Sequence, residues 1–270
     1  MISLNLRLIS VSLAVAFASS LLAVGPTSML YAVNDLEFGP NTGLDRIQGA
    51  SYASGNTGNT NDYAIAVWGD VRTCGYYSGA TGSRFDLNGN PLPGGPYANT
   101  YAADPIYDGT SDGTYNYGVG RYGGGLFRYD RNWLNPTTLW VDNNMPDHSG
   151  ITMNVSDGSF WLSQYGGIGL IEHFSGSGTL LGSFVSGIRG IVGLAYDSAD
   201  GTLWMNNEFA PGTIYQFDQV GNFLQQTSYG TNGVKMYGME FNEATVTPEP
   251  ATMGALALGV LGVLRRRRRS

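Results

Sequence analysis

Gly118-Val119-Gly120-Arg121-Tyr122-Gly123 has the G-x-G-x-x-G spacing of a dinucleotide loop. That chemistry needs a strand before the glycines and a helix after them. Here Gly124, Gly125 and an alternating segment follow, so the glycines are read as a loop or bulge. The chain has two histidines, His148 and His173. Asp147-His148-Ser149 sets three triad residue types side by side, yet a triad converges from separate elements, and the tripeptide reads as a turn. Two histidines also cannot supply a three-histidine zinc site. Asp86-Leu87-Asn88-Gly89-Asn90 alternates oxygen donors as a calcium loop does, but the twelfth position is Tyr97 instead of glutamate. A hairpin turn is expected there. Tyr76, Tyr77, Tyr115, Tyr117, Tyr122 and Tyr165 lie in glycine-rich stretches. Such rings stack on sugars or pack between strands. Cys74 stands alone, so no internal disulfide forms, and a buried, inert thiol is expected.

The elements that hold these residues must be built from an unusual composition. The chain has 270 residues, of which 40 are glycine and 17 tyrosine, and Lys235 is its single lysine. Helix formers are sparse, while Gly, Asn, Asp, Ser, Thr and aromatics suit short strands joined by tight turns. Between the two end segments there are eight basic residues and 20 acidic ones, a net charge of −12. Such a surface repels phosphate backbones and argues against a nucleic-acid partner. It attracts cations, although acidity also serves solubility alone.

Both ends read as processing segments. Arg7 precedes a largely apolar run over residues 8–24, which fits a signal peptide at 1–32, with Ala32 one candidate cleavage point although Leu30 two residues earlier is larger than usual there, or a retained N-terminal anchor. About 215 residues follow, enough for one domain with its own core. At the other end stand Pro248-Glu249-Pro250, an uncharged apolar stretch at 251–264, and Arg265, Arg266, Arg267, Arg268 and Arg269. As a helix, 14 residues reach about 21 Å, short of the ~30 Å hydrocarbon core. Snorkelling arginines and a thinned bilayer permit transient insertion. The arginines would stay cytoplasmic and the domain would lie outside.

These three parts, in this order, resemble the PEP-CTERM sorting signal. The resemblance covers the tail at 246–270. It implies recognition at Pro-Glu-Pro by exosortase, a membrane-embedded cysteine protease, and removal of the apolar segment and arginines. It further implies export through the inner membrane of a Gram-negative, exopolysaccharide-making cell, to the envelope, outer surface or extracellular matrix. A plain C-terminal membrane anchor leaves Pro-Glu-Pro without a purpose.

Residues 33–245 repeat. Asp157-Gly158-Ser159-Phe160-Trp161 and Asp200-Gly201-Thr202-Leu203-Trp204 align at a 43-residue shift, as do Phe174 and Phe217. Asp112-Gly113-Thr114 and Tyr129 extend the pattern upstream, and Phe85 extends it again, so residues 85, 129, 174 and 217 recur every 43 to 45 positions. Asp-Gly and Gly-Asn pairs between alternating segments are hairpin signals. Four strands in that length make one β-propeller blade. About five such blades fit the domain. Residues 237–242 read as the first strand of a last blade, which residues 36–47 complete from the other end of the chain. The irregular stretch 50–61 is left unassigned. The fold class is therefore all-β, a propeller of about five four-stranded blades closed by N- and C-terminal strands. A β-sandwich is the alternative.

The repeats resemble those of NHL-type and gluconolactonase-like propellers. The latter bind a divalent cation in the central channel through acidic and amide side chains. By that resemblance Glu208, Asn206, Asn207, Asn154 and Glu172 are conceivable ligands. The leading functional expectation is a non-enzymatic, exosortase-sorted surface or matrix protein with a structural, adhesive or exopolysaccharide-associated role. It has no catalytic residue, metal or cofactor assigned. Its expected partners are exosortase, the membrane through the tail, and extracellular polysaccharide. The alternatives are a metal-dependent hydrolase using the channel, and a glycan-binding module presenting exposed tyrosines.

Overall fold

The structure, a computed structural model, describes residues 25–35, 42–58, 62–76, 81–95, 97–98, 105–143, 147–231 and 233–245. Five sheets radiate around one axis. The first blade combines β1 (Leu30–Asp35), β2 (Thr42–Gln48) and β3 (Ser51–Asn56) with the last strand, β21 (Lys235–Phe241), in the order β21-β1-β2-β3. The second holds β4 (Asp62–Val67), β5 (Val71–Gly75) and β7 (Arg84–Phe85). Its fourth strand shrinks to a bridge between Phe85 and Pro91, because proline has no N–H for a ladder. A small ladder of β6 (Thr81–Gly82) and β8 (Tyr97–Ala98) stands beside it.

The third blade is β9 (Gly109–Ser111), β10 (Asn116–Val119), β11 (Gly125–Tyr129) and β12 (Thr137–Val141). The fourth is β13 (His148–Asn154), β14 (Ser159–Gln164), β15 (Leu170–Phe174) and β16 (Leu180–Val185). The fifth is β17 (Ile191–Asp197), β18 (Thr202–Asn207), β19 (Thr213–Phe217) and β20 (Phe223–Ser228).

The repeat has a structural cause. Phe85, Tyr129, Phe174 and Phe217 each end the third strand of a blade. The next residue opens the turn to strand four. Asp86, Asp130 and Asp218 each accept backbone N–H groups two and four residues ahead, and Ser175 accepts the one four ahead. These are Asx- and Ser-type turns. The fourth position of the turn has positive φ: Gly89, Gly178 and Gly221 serve in three blades, and Trp133 (φ 58°) in the third. A tryptophan there is strained. It is wholly buried, packs on Tyr129, and thereby gains the burial of a large ring.

Apolar clusters fill the gaps between blades. Tyr31, Val33 and Leu44 meet Ile65, Val67 and Phe85 between the first and second blades. Ala64, Ala66 and Cys74 meet Tyr129 and Trp133 between the second and third. Comparable clusters join the third to the fourth, the fourth to the fifth, and the fifth to the first. The inner strands β4, β13, β17 and β21 are buried along almost their whole length because neighbouring blades cover both faces. Outer strands β3, β12, β16 and β20 are mostly exposed. Cys74 is buried, as expected.

Two sequence expectations change. The N-terminal share of the mixed blade is three strands, starting at Leu30, and the stretch left unassigned at 50–61 contains β3. The domain therefore begins before residue 33. Leu30, Tyr31 and Ala32 are buried and pair with β2 on one side and β21 on the other. Pro26 also accepts the N–H of Gly49 at 2.7 Å. Cleavage at Ala32 would strip three rungs from the closing blade. Leu30 to Val33 are as apolar as the run at 8–24 and follow it closely, so composition alone does not set them apart.

Candidate functional site

The starts of the inner strands meet at what we term the upper face. There Tyr63 packs on Tyr237 with ring centroids 4.1 Å apart, and on Tyr107 at 5.7 Å. Tyr76 caps both, at 4.7 Å from Tyr63 and 4.9 Å from Tyr107. With Val192, these rings plug the axis. Burial raises the Tyr63 and Tyr107 phenols far above their ordinary range.

Arg121 lies across the plug. Its guanidinium carbon sits 3.9 Å from the Tyr165 ring centroid, 5.0 Å from that of Tyr107 and 5.2 Å from that of Tyr122. These are cation–π contacts. Arg121 also donates to the Tyr107 hydroxyl and pairs with Asp147 at 3.5 Å. The Tyr165 hydroxyl donates to Glu208. Burial, then Glu208, push the Tyr165 phenol up to about 12.

Beneath the tyrosines sits Asp108, wholly buried. Its Oδ1 accepts N–H from Gly109 and Met239, each at 2.9 Å, and its Oδ2 from Ile151 at 3.0 Å and Leu194 at 2.7 Å. One carboxylate thus ties four inner strands, β9, β13, β17 and β21. Gly238 leaves room for it: a Cβ there would lie 2.8 Å from Asp108 Oδ1 and 2.6 Å from the Tyr63 carbonyl. Further along the axis Glu240 is buried and accepts the Thr152 hydroxyl and the Phe241 N–H. Burial holds both carboxyl groups well above the usual range, against the pull of the N–H donors on Asp108.

The channel candidates do not come together. Asn154 belongs to the β13–β14 hairpin, at the lower end, where it bonds Ser156 and Asp157. Asn206 donates to the Tyr237 carbonyl, and Asn207 Oδ1 accepts the N–H groups of Phe209 and Ala210. Glu208 faces Tyr165. Glu172 instead joins Asp142 and His148: one ligand-type atom from each lies within 4.8 Å of the other two. His148 Nε2 is 3.4 Å from Asp142 Oδ2. Burial lowers the His148 imidazole, while burial and then Asp142 raise the Glu172 carboxyl. This cluster is the one among the described residues whose donor set suits a metal.

The remaining candidates resolve individually. His148 and Ser149 open β13 instead of forming a turn, because inner-strand packing overrides the polar tripeptide. They make no triad: Ser149 donates to the Ile191 carbonyl, and Asp147 pairs with Arg121. His173 stacks on Trp161 at 3.9 Å and bonds Ser159. Asp86 spends its oxygens on its own hairpin, at Asn88 and Asn90. The G-x-G-x-x-G stretch turns from β10 to β11, with Gly120 N–H on the Gly125 carbonyl. Tyr76 and Tyr117 are buried, and Tyr115 lies under Arg128. Tyr122 is 62% exposed and Tyr165 is half-buried. Tyr77, the Pro-Glu-Pro residues and Arg265 to Arg269 lie outside the described residues.

Beside Tyr165 opens a cleft of about 390 Å³ lined by Tyr165, Gly166, Gly167, Ile168, Arg189, Gly190 and Phe209. Phe209 is 67% exposed. The sequence signal for this site was the glycine-flanked Tyr165. Arg121 and Asp142 carried none, since their partners lie on other elements.

The fold and its plugged axis define a class: an all-β, five-bladed propeller. A chain of the nidogen/laminin complex is similar at 10% identity with a TM-score of 0.55, covering 80% of this chain and 98% of that one. Glutaminyl cyclase from Myxococcus xanthus is similar at 15% identity and TM-score 0.45, over 70% of this chain and 73% of that one. No curated protein matches the chain. Residues 246–269 match the family model of the PEP-CTERM protein-sorting motif. That motif is the exosortase recognition signal and implies export to a cell-surface or extracellular destination. The match begins one residue after the short 3-10 helix Glu243–Thr245, where the described fold ends.

Proposed function

We propose that this is a non-catalytic, exosortase-processed propeller that holds extracellular polysaccharide at its upper face. One observation carries the reading. The chain leaves the last inner strand at Phe241 and Thr245, at the lower end, while the Tyr165 cleft opens at the upper end. A domain delivered or held by its tail would present the cleft outward. The cleft offers Tyr165 and Phe209 as stacking faces, and Arg121, Arg189 and Glu208 as polar partners nearby. An apolar ring beside hydrogen-bonding groups suits the two-sided chemistry of a sugar. The carboxyl and amide groups expected to line a hydrolase channel are separate and mostly spent on backbone groups, which favours the binding role over the hydrolase. Membrane contact is assigned to the tail alone.

The test has two arms. The C-terminus of the mature protein is determined by mass spectrometry in host cells with and without exosortase. Loss of residues beyond the Pro-Glu-Pro region only in the presence of the protease supports the sorting arm. Host exopolysaccharide is then titrated against wild type and a Tyr165→Ala/Phe209→Ala variant. A drop of about tenfold in affinity, ~1.4 kcal/mol, is expected. Equal affinity, or no binding by wild type, would remove the cleft from the proposal.

A further inference from the structure

Asp142, His148 and Glu172 have no part in the upper-face cleft. Asp142 follows β12 in the connection out of the third blade. His148 opens β13 and Glu172 lies in β15, both in the fourth. In the fourth blade His148 pairs with Gln164 and Glu172 with Leu162, two residues apart on β14 and so on one face of the sheet. All three residues are more than nine-tenths buried.

Their hydrogen bonding does not close. Neither ring nitrogen of His148 nor Oε2 of Glu172 completes a well-formed hydrogen bond, although Asp142 faces both groups (Nε2 at 3.4 Å) and the Ser163 backbone faces the imidazole. Buried polar groups in native proteins are nearly always partnered, and an exception needs a cause. Two carboxyl groups beside a buried imidazole also crowd acidic oxygens into a dry place, which is costly without a counter-ion. A divalent cation answers both problems, since it takes a lone pair from each side chain and cancels the charge.

We infer that Asp142, His148 and Glu172 form a binding site for a first-row divalent transition-metal ion, zinc foremost, that clasps the third blade to the fourth. The imidazole selects this class over calcium and magnesium, which prefer oxygen alone and more ligands. Three protein ligands leave one tetrahedral position for water. Two donors sit on strands, so the site is held rigidly. The inference goes beyond the polysaccharide reading, and neither depends on the other.

The test uses the full chain without a histidine tag, stripped with chelator and dialysed against zinc, cobalt or calcium. The expected result is one zinc per chain by elemental analysis, a cobalt visible spectrum of low coordination number, and no calcium retained. Zinc should raise the Tm of wild type by about 5 °C. Glu172→Gln keeps shape and burial but loses the charge. It should fold, bind zinc at least tenfold more weakly and lose the cobalt spectrum. His148→Ala should lose zinc outright, and Glu172→Gln keeps the test informative if that variant fails to fold. If wild type takes up no transition metal while Glu172→Gln is folded and equally stable, the three groups merely share a proton and the inference is overturned.

Discussion

Asp108 Oδ2 accepts the N–H of Leu194 at 2.7 Å, from a residue 86 positions further along the chain. The same carboxylate takes N–H groups from Ile151, Met239 and Gly109. Four inner strands therefore converge on one side chain, as spokes on a hub. Asp108→Ala would orphan four buried N–H donors, at about 1–3 kcal/mol each, and is expected not to fold. Asp108→Asn turns an amide NH₂ against two of them and should cost about 3 kcal/mol. Urea unfolding measures this. An Asn variant with the wild-type midpoint would show that the hub is dispensable.

Asp70 is the corresponding clasp nearer the surface. It pairs with Arg72 at 2.9 Å, Arg84 at 2.5 Å and Arg131 at 2.7 Å. Arg131 comes from the β11–β12 turn, so the cluster joins the second blade to the third. Burial opposes ionisation, but the hydrogen bonds and charges of the arginines overcome it and hold Asp70 below the usual carboxylate range. The stability it contributes is present above the unfolded pKa and is lost as pH falls through the lower folded value. Asp70→Asn should cost about 2–3 kcal/mol at neutral pH, discounted for the partial exposure of Arg84. The loss should shrink on going to pH 3. A cost that stays constant with pH would contradict the ionic account.

The pH optimum of stability should lie on the acid side of neutral. Burial raises Asp45 to about 6, and raises Asp197, Glu240 and Glu243 as well. A carboxyl whose folded pKa is raised stabilises the fold fully below its unfolded value, near 3.8 for Asp45, and that contribution is lost as pH rises through about 6. His148 and His173 work the other way, since burial lowers both and the unfolded imidazoles take protons first. The carboxyl groups outnumber them. In chelator, the Tm at pH 5 should exceed the Tm at pH 7.5 by a few degrees, read by calorimetry. The reverse order would mean that these carboxylates stay ionised when buried.

Much of the ring was legible because its local chemistry repeats. Phe85, Tyr129, Phe174 and Phe217 ended strands where the spacing placed them, and Asp112, Asp157 and Asp200 capped the hairpins read from Asp-Gly. The strand at the far end, β21, was visible for the same reason. The N-terminal partner strands begin earlier than the spacing suggests, because β1 opens with the apolar Leu30-Tyr31-Ala32-Val33, close behind the apolar run at 8–24. Glu172 stands out in the sequence, but its companions in the fold are Asp142 and His148 and not the amides Asn154, Asn206 and Asn207. Nothing at positions 142 and 148 announced that a blade-to-blade connection and an inner strand would bring those side chains to it.

By itself the sequence determined the turns, the period, the all-β class and the sorting tail, since each depends on residues close together along the chain. Only the tertiary structure decided what fills the axis and which side chains meet. Asp108 with Leu194, Arg121 with Tyr165, and Asp142 with Glu172 each join different blades or loops. Such pairings are set by how twisted sheets close into a ring and by the burial that closure imposes, and neither leaves a local mark on the chain.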